Sequence, residues 1–266
     1  AHLCVSAEQS IKDSQDIIDN WHGRGRQHVA ITPRFAITST TKQLQLAGEL
    51  YASYDTVYLQ THLAENRDEV AFVRELYPKH KGYLDVYEDM GLLGRYTTLA
   101  HGIYIETPEY ERLRATGTQI AHCPTSNLFL GSGLFDLPKT LSYTGVSIAT
   151  DVGAGTSLSM LVTLSEAYKV QQLQNNQLSA HQGLYQITLG NAQSLMLDDK
   201  IGNFMPNKEA YFVVIEMAAT PLLERRMAQT KTFEEQLFVL MMLGDDRVIE
   251  ETVIAGVSRY KKVTAT

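Results

Sequence analysis

Three groups of residues in this chain have types and spacings suited to metal-assisted hydrolysis. The first is Thr61-His62-Leu63-Ala64-Glu65, which follows the apolar run ending at Leu59-Gln60. A neutral imidazole is a good zinc ligand. A carboxylate three residues later, where a strand opens into a loop, can take a proton from a metal-activated water and return it to substrate. The plain alternative is a structural histidine followed by a helix-start glutamate. The second is His101, after Thr97-Thr98-Leu99-Ala100 and before Gly102. It suits metal binding or the orientation of an attacking water, and equally a hydrogen-bonded core histidine; the glycine permits close approach of backbone or ligand. The third is Asp151, directly after Gly145-Val146-Ser147-Ile148-Ala149-Thr150. A carboxylate behind a buried strand is costly unless it is paired or binds a metal; its alternative role is the N-cap of the next helix.

The segment His122-Cys123-Pro124-Thr125-Ser126-Asn127 lacks the His-x-Glu and Pro-Cys-x-x-Cys pattern of zinc cytidine deaminases. Cys123 therefore reads as packing, and Asn127 as a turn-builder or loop hydrogen bonder. A phosphate-binding Gly-x-x-x-x-Gly-Lys loop, His-Glu-x-x-His and Gly-x-Ser-x-Gly are all missing. That weighs against nucleotide hydrolysis, zincin proteolysis and serine-esterase chemistry.

The elements that must hold these residues alternate. Short β-branched runs at 29–31, 56–60, 96–100, 118–121 and 145–150 read as strands. Helical periodicity occupies 39–54, 66–76, 107–116, 157–174 and 180–197. Strands alternating with helices imply parallel sheet, because each parallel strand needs a crossover. In parallel (β/α) barrels the chemistry sits at the C-terminal ends of strands, which is where Arg34, His62, His101, His122 and Asp151 fall. The texture changes near residue 200. Runs at 210–215 and 252–257 read as strands, with a helical patch at 233–243 between them. The expected organisation is α/β: a partial (β/α)8 TIM-like barrel over 1–200, then part of a small β-sandwich domain with a terminal helix over 201–266.

With 266 residues, 44% hydrophobic and 20% charged, the chain can bury a sizeable core. Its net charge of −7 disfavours a nucleic-acid partner. Two cysteines, Cys4 and Cys123, cannot build a disulfide framework and suit a reducing compartment such as the cytoplasm. No apolar run approaches the roughly 20 residues that span a bilayer, so no membrane partner is expected.

Taken in order, His62 with Glu65, His101, the 122–127 segment and Thr150-Asp151 resemble the amidohydrolase superfamily over nearly the whole chain. Within it, narrower strings are similar to the guanine deaminases: Thr32-Pro33-Arg34-Phe35, His62-Leu63-Ala64-Glu65-Asn66-Arg67-Asp68-Glu69-Val70, Ile201-Gly202-Asn203-Phe204 and Leu243-Gly244-Asp245-Asp246-Arg247. The resemblance implies zinc-dependent hydrolysis of guanine to xanthine and ammonia, with one zinc per subunit of a cytoplasmic homodimer. It implies His62 and Asp151 as zinc ligands, and Glu65, His101 and Asp151 as catalytic groups. Arg34, Phe35, His62, Glu65 and Asp151 would then contact the purine base. A guanidinium fork also matches the O6/N7 edge of guanine in its own right. Two further zinc ligands are expected from a His-x-His motif, which does not occur in this sequence. The chain thus reads as truncated at its N-terminus, its first barrel strands absent, and exposed sheet edges would make it aggregation-prone alone. Open alternatives are another aminohydrolase or chlorohydrolase of the superfamily, acting on an adenosine-like or triazine substrate, and a metal-free scaffold on the same barrel.

Overall fold

The computed structural model describes residues 4–263. Residues 1–3 and 264–266, at the outer ends of the two expected domains, lie outside the described residues. In chain order the elements begin α1 (Ala7–Trp21), β1 (Ala30–Ile31), α2 (Thr41–Ala52), β2 (Tyr58–Leu63), α3 (Arg67–Leu76) and α4 (Tyr83–Asp89). They continue β3 (Thr97–His101), α5 (Thr107–Thr116), β4 (Gln119–His122), α6 (Pro124–Leu130), α7 (Leu137–Leu141), β5 (Val146–Ile148) and α8 (Met160–Leu173). The remainder are α9 (Ala180–Tyr185), α10 (Asn191–Ser194), β6 (Phe212–Ile215), α11 (Pro221–Met227), α12 (Phe233–Leu243), β7 (Ile249–Ile254) and β8 (Val257–Lys261). The chain divides into two compact units. The first runs to His122 and takes in Pro138–Gly145; the second is Cys123–Leu137 and everything from Val146 on.

In the first unit β1, β2, β3 and β4 pair in parallel, each with its successor. Register puts Leu63 opposite His101 and His62 opposite Ala100, so the polar strand ends lie side by side. Leu59, Leu63, Leu99 and Ile120 are fully buried, and in β2 and β3 they alternate with less buried positions such as Gln60 and Thr98, the period of two expected of a strand. The crossover helices start and stop on local signals. Asn66 caps α3 by accepting the Glu69 N–H. Pro108 lies in the first turn of α5, where its missing donor costs nothing, and Gly117 in the left-handed conformation ends that helix. α4 is drawn close to α2: a Cβ on Gly48 would lie 1.8 Å from the Met90 carbonyl oxygen, so only glycine permits the approach.

In the second unit α8 and α12 pack together and share an apolar cluster of Leu161, Leu223, Val239, Leu240 and Val248. The helix expected over 180–197 is observed as α9 and α10 joined by a π-turn at Gln186–Gly190. After this widened turn, the Asn191 side chain accepts from Ile148 N–H (2.9 Å) and donates to the Ile148 carbonyl (3.0 Å), bonding β5 as a neighbouring strand would. β6, β7 and β8 form an antiparallel sheet. The single strand expected over 252–257 is corrected to a hairpin. Ala255 and Gly256 both have positive φ (51° and 76°), as a tight two-residue turn of primed type requires. Among the described residues, no helix is long and apolar enough to cross a membrane.

Candidate metal-assisted hydrolytic site

At the end of β2 the chain leaves the sheet through a strained turn. Ala64 has φ +46°, and at the end of β3 His101 has φ +73° followed by Gly102 at +61°. Non-glycine residues rarely adopt such angles unless the surroundings fix them. Here the fixing bonds are visible. Gly102 N–H donates to the Leu63 carbonyl (2.8 Å), and both Ile103 and Tyr104 N–H donate to the Ala64 carbonyl (3.1 Å each). A Cβ on Gly102 would also press on Ile105 and Ile120. The two strand ends are therefore locked together, and their side chains meet: the His62 and His101 rings stack with centroids 5.2 Å apart. His101 Nε2 stands 3.8 Å from Glu65 Oε2, with the histidine side chain buried and the glutamate mostly so.

The loop after β1 completes the cluster. Phe35 packs on His62 at 5.2 Å, and the exposed Arg34 guanidinium lies 5.7 Å from the Phe35 ring. Arg34 also contributes its main chain: its carbonyl accepts a hydrogen bond from His62 Nδ1 at 2.6 Å. A carbonyl can only accept, so Nδ1 carries a proton and Nε2 is the nitrogen available to a metal. That tautomer, fixed by a backbone carbonyl on the far nitrogen, is the form in which imidazole ligates zinc. The donor chemistry of His62 thus fits the metal the resemblance implies.

His122, at the end of β4, is fully buried, and its pKa is pulled down to about 3, first by burial and then by the nearby His101. It is neutral at any physiological pH. Its place at a strand end was visible in the sequence, whereas its depth was not.

Asp151 belongs to the second unit, just after β5. It has φ +49° and is half-buried. Its carbonyl accepts from Gly155 N–H at 2.6 Å, and the preceding Thr150 carbonyl accepts from Thr125 Oγ1 at 3.0 Å. Thr125, inside the 122–127 segment, is therefore a residue that shapes the Asp151 turn, a role sequence reasoning missed. The helix-cap alternative for Asp151 does not hold, because Ser159 caps α8. Glu65 likewise precedes the cap of α3, which is Asn66. Cys123 is buried. Asn127 lies inside α6 instead of building a loop, because Pro124 starts a helix there.

An amidohydrolase family model matches residues 4–259, and the chain belongs to that family. Among its relatives, the guanine deaminase of Escherichia coli strain K12 is 50% identical over 262 residues, 98% of this chain and 60% of the relative. The solved E. coli guanine deaminase superposes with a TM-score of 0.96, covering 98% of this chain and 61% of that one. The guanine deaminase from Bradyrhizobium japonicum gives 0.91 at 35% identity, covering 99% and 63%. That from C. acetobutylicum, with guanine bound in its active site, gives 0.87 at 26% identity, covering 97% and 62%. The chain spans about three fifths of the length of these relatives.

Proposed function

We propose that the protein containing this chain hydrolyses guanine to xanthine and ammonia. The observation that carries the reading is the joined arrangement of Arg34, Phe35, His62, Glu65 and His101 at the ends of β1, β2 and β3. The family membership and the guanine deaminases among its relatives support it. One zinc ion per subunit is the proposed cofactor, with His62 Nε2 and the Asp151 carboxylate as ligands from this chain. When bound, zinc lowers the pKa of a water toward about 7.

The chain's own groups then carry the proton work. Glu65 takes a proton from the attacking water and delivers it to the purine ring nitrogen, which allows addition at the carbon bearing the amino group. His101, 3.8 Å from the Glu65 carboxylate, orients that water and stabilises the developing oxyanion. Asp151 accepts the second water proton, which passes to the amino group as the new carbonyl forms, and the group leaves as ammonia. The Arg34 fork holds the O6/N7 edge of the base, and Phe35 packs beside it. The same reading divides the chain at about residue 200 into barrel and small β-domain, and makes the natural protein a cytoplasmic homodimer.

The test is ammonia release from a panel of guanine, adenine, adenosine and an aminotriazine by the natural full-length protein. Turnover confined to guanine is expected. Turnover of another member in preference to guanine would replace the substrate while keeping the hydrolytic site.

A further inference from the structure

Glu69, Tyr83 and Tyr87 take no part in the chemistry above, yet their polar atoms converge on the backbone that carries it. All three are buried, Tyr87 completely. The Tyr87 hydroxyl donates to the His62 carbonyl at 2.7 Å and accepts the Ala36 N–H at 3.2 Å. One hydroxyl therefore ties the end of β2 to the loop whose Arg34 carbonyl fixes the His62 tautomer. The Tyr83 hydroxyl lies 3.4 Å from that of Tyr87 and near the Glu69 carboxylate. Glu69 Oε2 accepts the N–H groups of Glu65 at 2.7 Å and Asn66 at 3.2 Å; Oε1 makes no hydrogen bond of good geometry.

We propose that Glu69, Tyr83 and Tyr87 form a buried positioning clamp on the strained 62–65 turn, Tyr87 holding its first residue and Glu69 its last. The clamp sets the distance between the His62 imidazole and the Glu65 carboxylate. It rests on the reading of those two residues given above. Ala64, with its positive φ, is the turn's weak point, and the grips on either side of it keep it from relaxing. The base of the clamp is itself fixed, because Gly48 seats α4 against α2. A misplacement of about 1 Å at a reacting group costs on the order of a hundredfold in rate, which gives the clamp its leverage.

The test uses Tyr87→Phe, which keeps the ring and removes the hydroxyl, in the natural full-length protein. Expected are a fall in kcat of roughly ten- to a hundredfold, a KM changed less than about threefold, and amide exchange at Ala36 accelerated about tenfold. Glu69→Leu should lower kcat similarly and accelerate exchange at Glu65 and Asn66. Glu69→Gln, which keeps an acceptor oxygen, should recover most of both. Leu113→Ala, a fully buried truncation on α5, should lower Tm while leaving kcat at 20 °C unchanged, which separates positioning from lost stability. Tyr87→Phe with kcat within twofold of wild type, or with Ala36 exchange unchanged, overturns the clamp. A wild type that releases no ammonia from guanine would sink the functional reading alone. The exchange at Ala36 and Glu65 would still decide the clamp, acceleration in the variants supporting it and unchanged rates removing it.

Discussion

The N-termini of α3 and α5 use one device for two purposes. Each has a glutamate at the third helical position whose carboxylate returns to the cap residue's N–H: Glu69 to Asn66 and Glu109 to Glu106. Each carboxylate is buried and reaches one donor further. Glu69 takes the N–H of Glu65, the proposed proton carrier, while Glu109 takes the N–H of Leu84 in α4. In both, burial is the largest influence and raises the carboxyl above its usual range. Local sequence can announce a capping box. Only the second donor decides whether the box serves the reacting turn or the scaffold behind it.

The largest effect belongs to Glu65. Glu65→Gln should leave zinc content near one per subunit and lower turnover by about a hundredfold or more, the usual contribution of a general acid–base group. Turnover surviving within tenfold would remove Glu65 as the proton carrier. The Glu69 variants come next, with the loss in kcat set out above. Glu109→Gln should instead act on stability. It exchanges one acceptor for a donor beside backbone N–H groups, at a cost of about 1–3 kcal/mol, with turnover at 20 °C changed less than threefold. A larger loss of turnover than of stability would erase the distinction between the two helices.

The same two carboxyls predict the direction of a pH effect. Because burial raises their folded pKa, the folded state holds these protons more tightly than the unfolded chain does. Their contribution to stability is therefore greatest below the ordinary carboxylate range and declines as pH rises through the raised values. Urea unfolding between pH 4 and 8 should show Glu109→Gln with a flatter decline than wild type; an identical slope would exclude Glu109 as a source. The smallest effect is expected far from the site. Gly256→Ala places a side chain at φ +76° in the β7–β8 turn and should cost about 1 kcal/mol with no change in turnover.

The α/β alternation was legible because its helices and strands keep their own periods. Helical periodicity near 107–116 and over 233–243 coincides with α5 and α12. The β7–β8 hairpin was missed because its turn begins with an alanine, not the Asn-Gly or Gly-Gly pair that announces primed turns. α1 and α4 went unread: α1 buries only Ile18, and α4 is a single short run. His62, Glu65, His101 and Asp151 stood out by type and by position after apolar strands. Tyr87 and Thr125 did not, because each acts on a backbone carbonyl 25 residues away in sequence, and no local pattern encodes such a partner. The π-turn that presents Asn191 to β5 was equally silent.

The most direct test of the account is the guanine turnover of the natural full-length protein before and after removal of its metal by chelation. About one zinc per subunit, ammonia released from guanine, loss of that activity on chelation and its return with zinc are the results predicted. Undiminished turnover in protein shown to be metal-free would contradict the role given to His62 and Asp151.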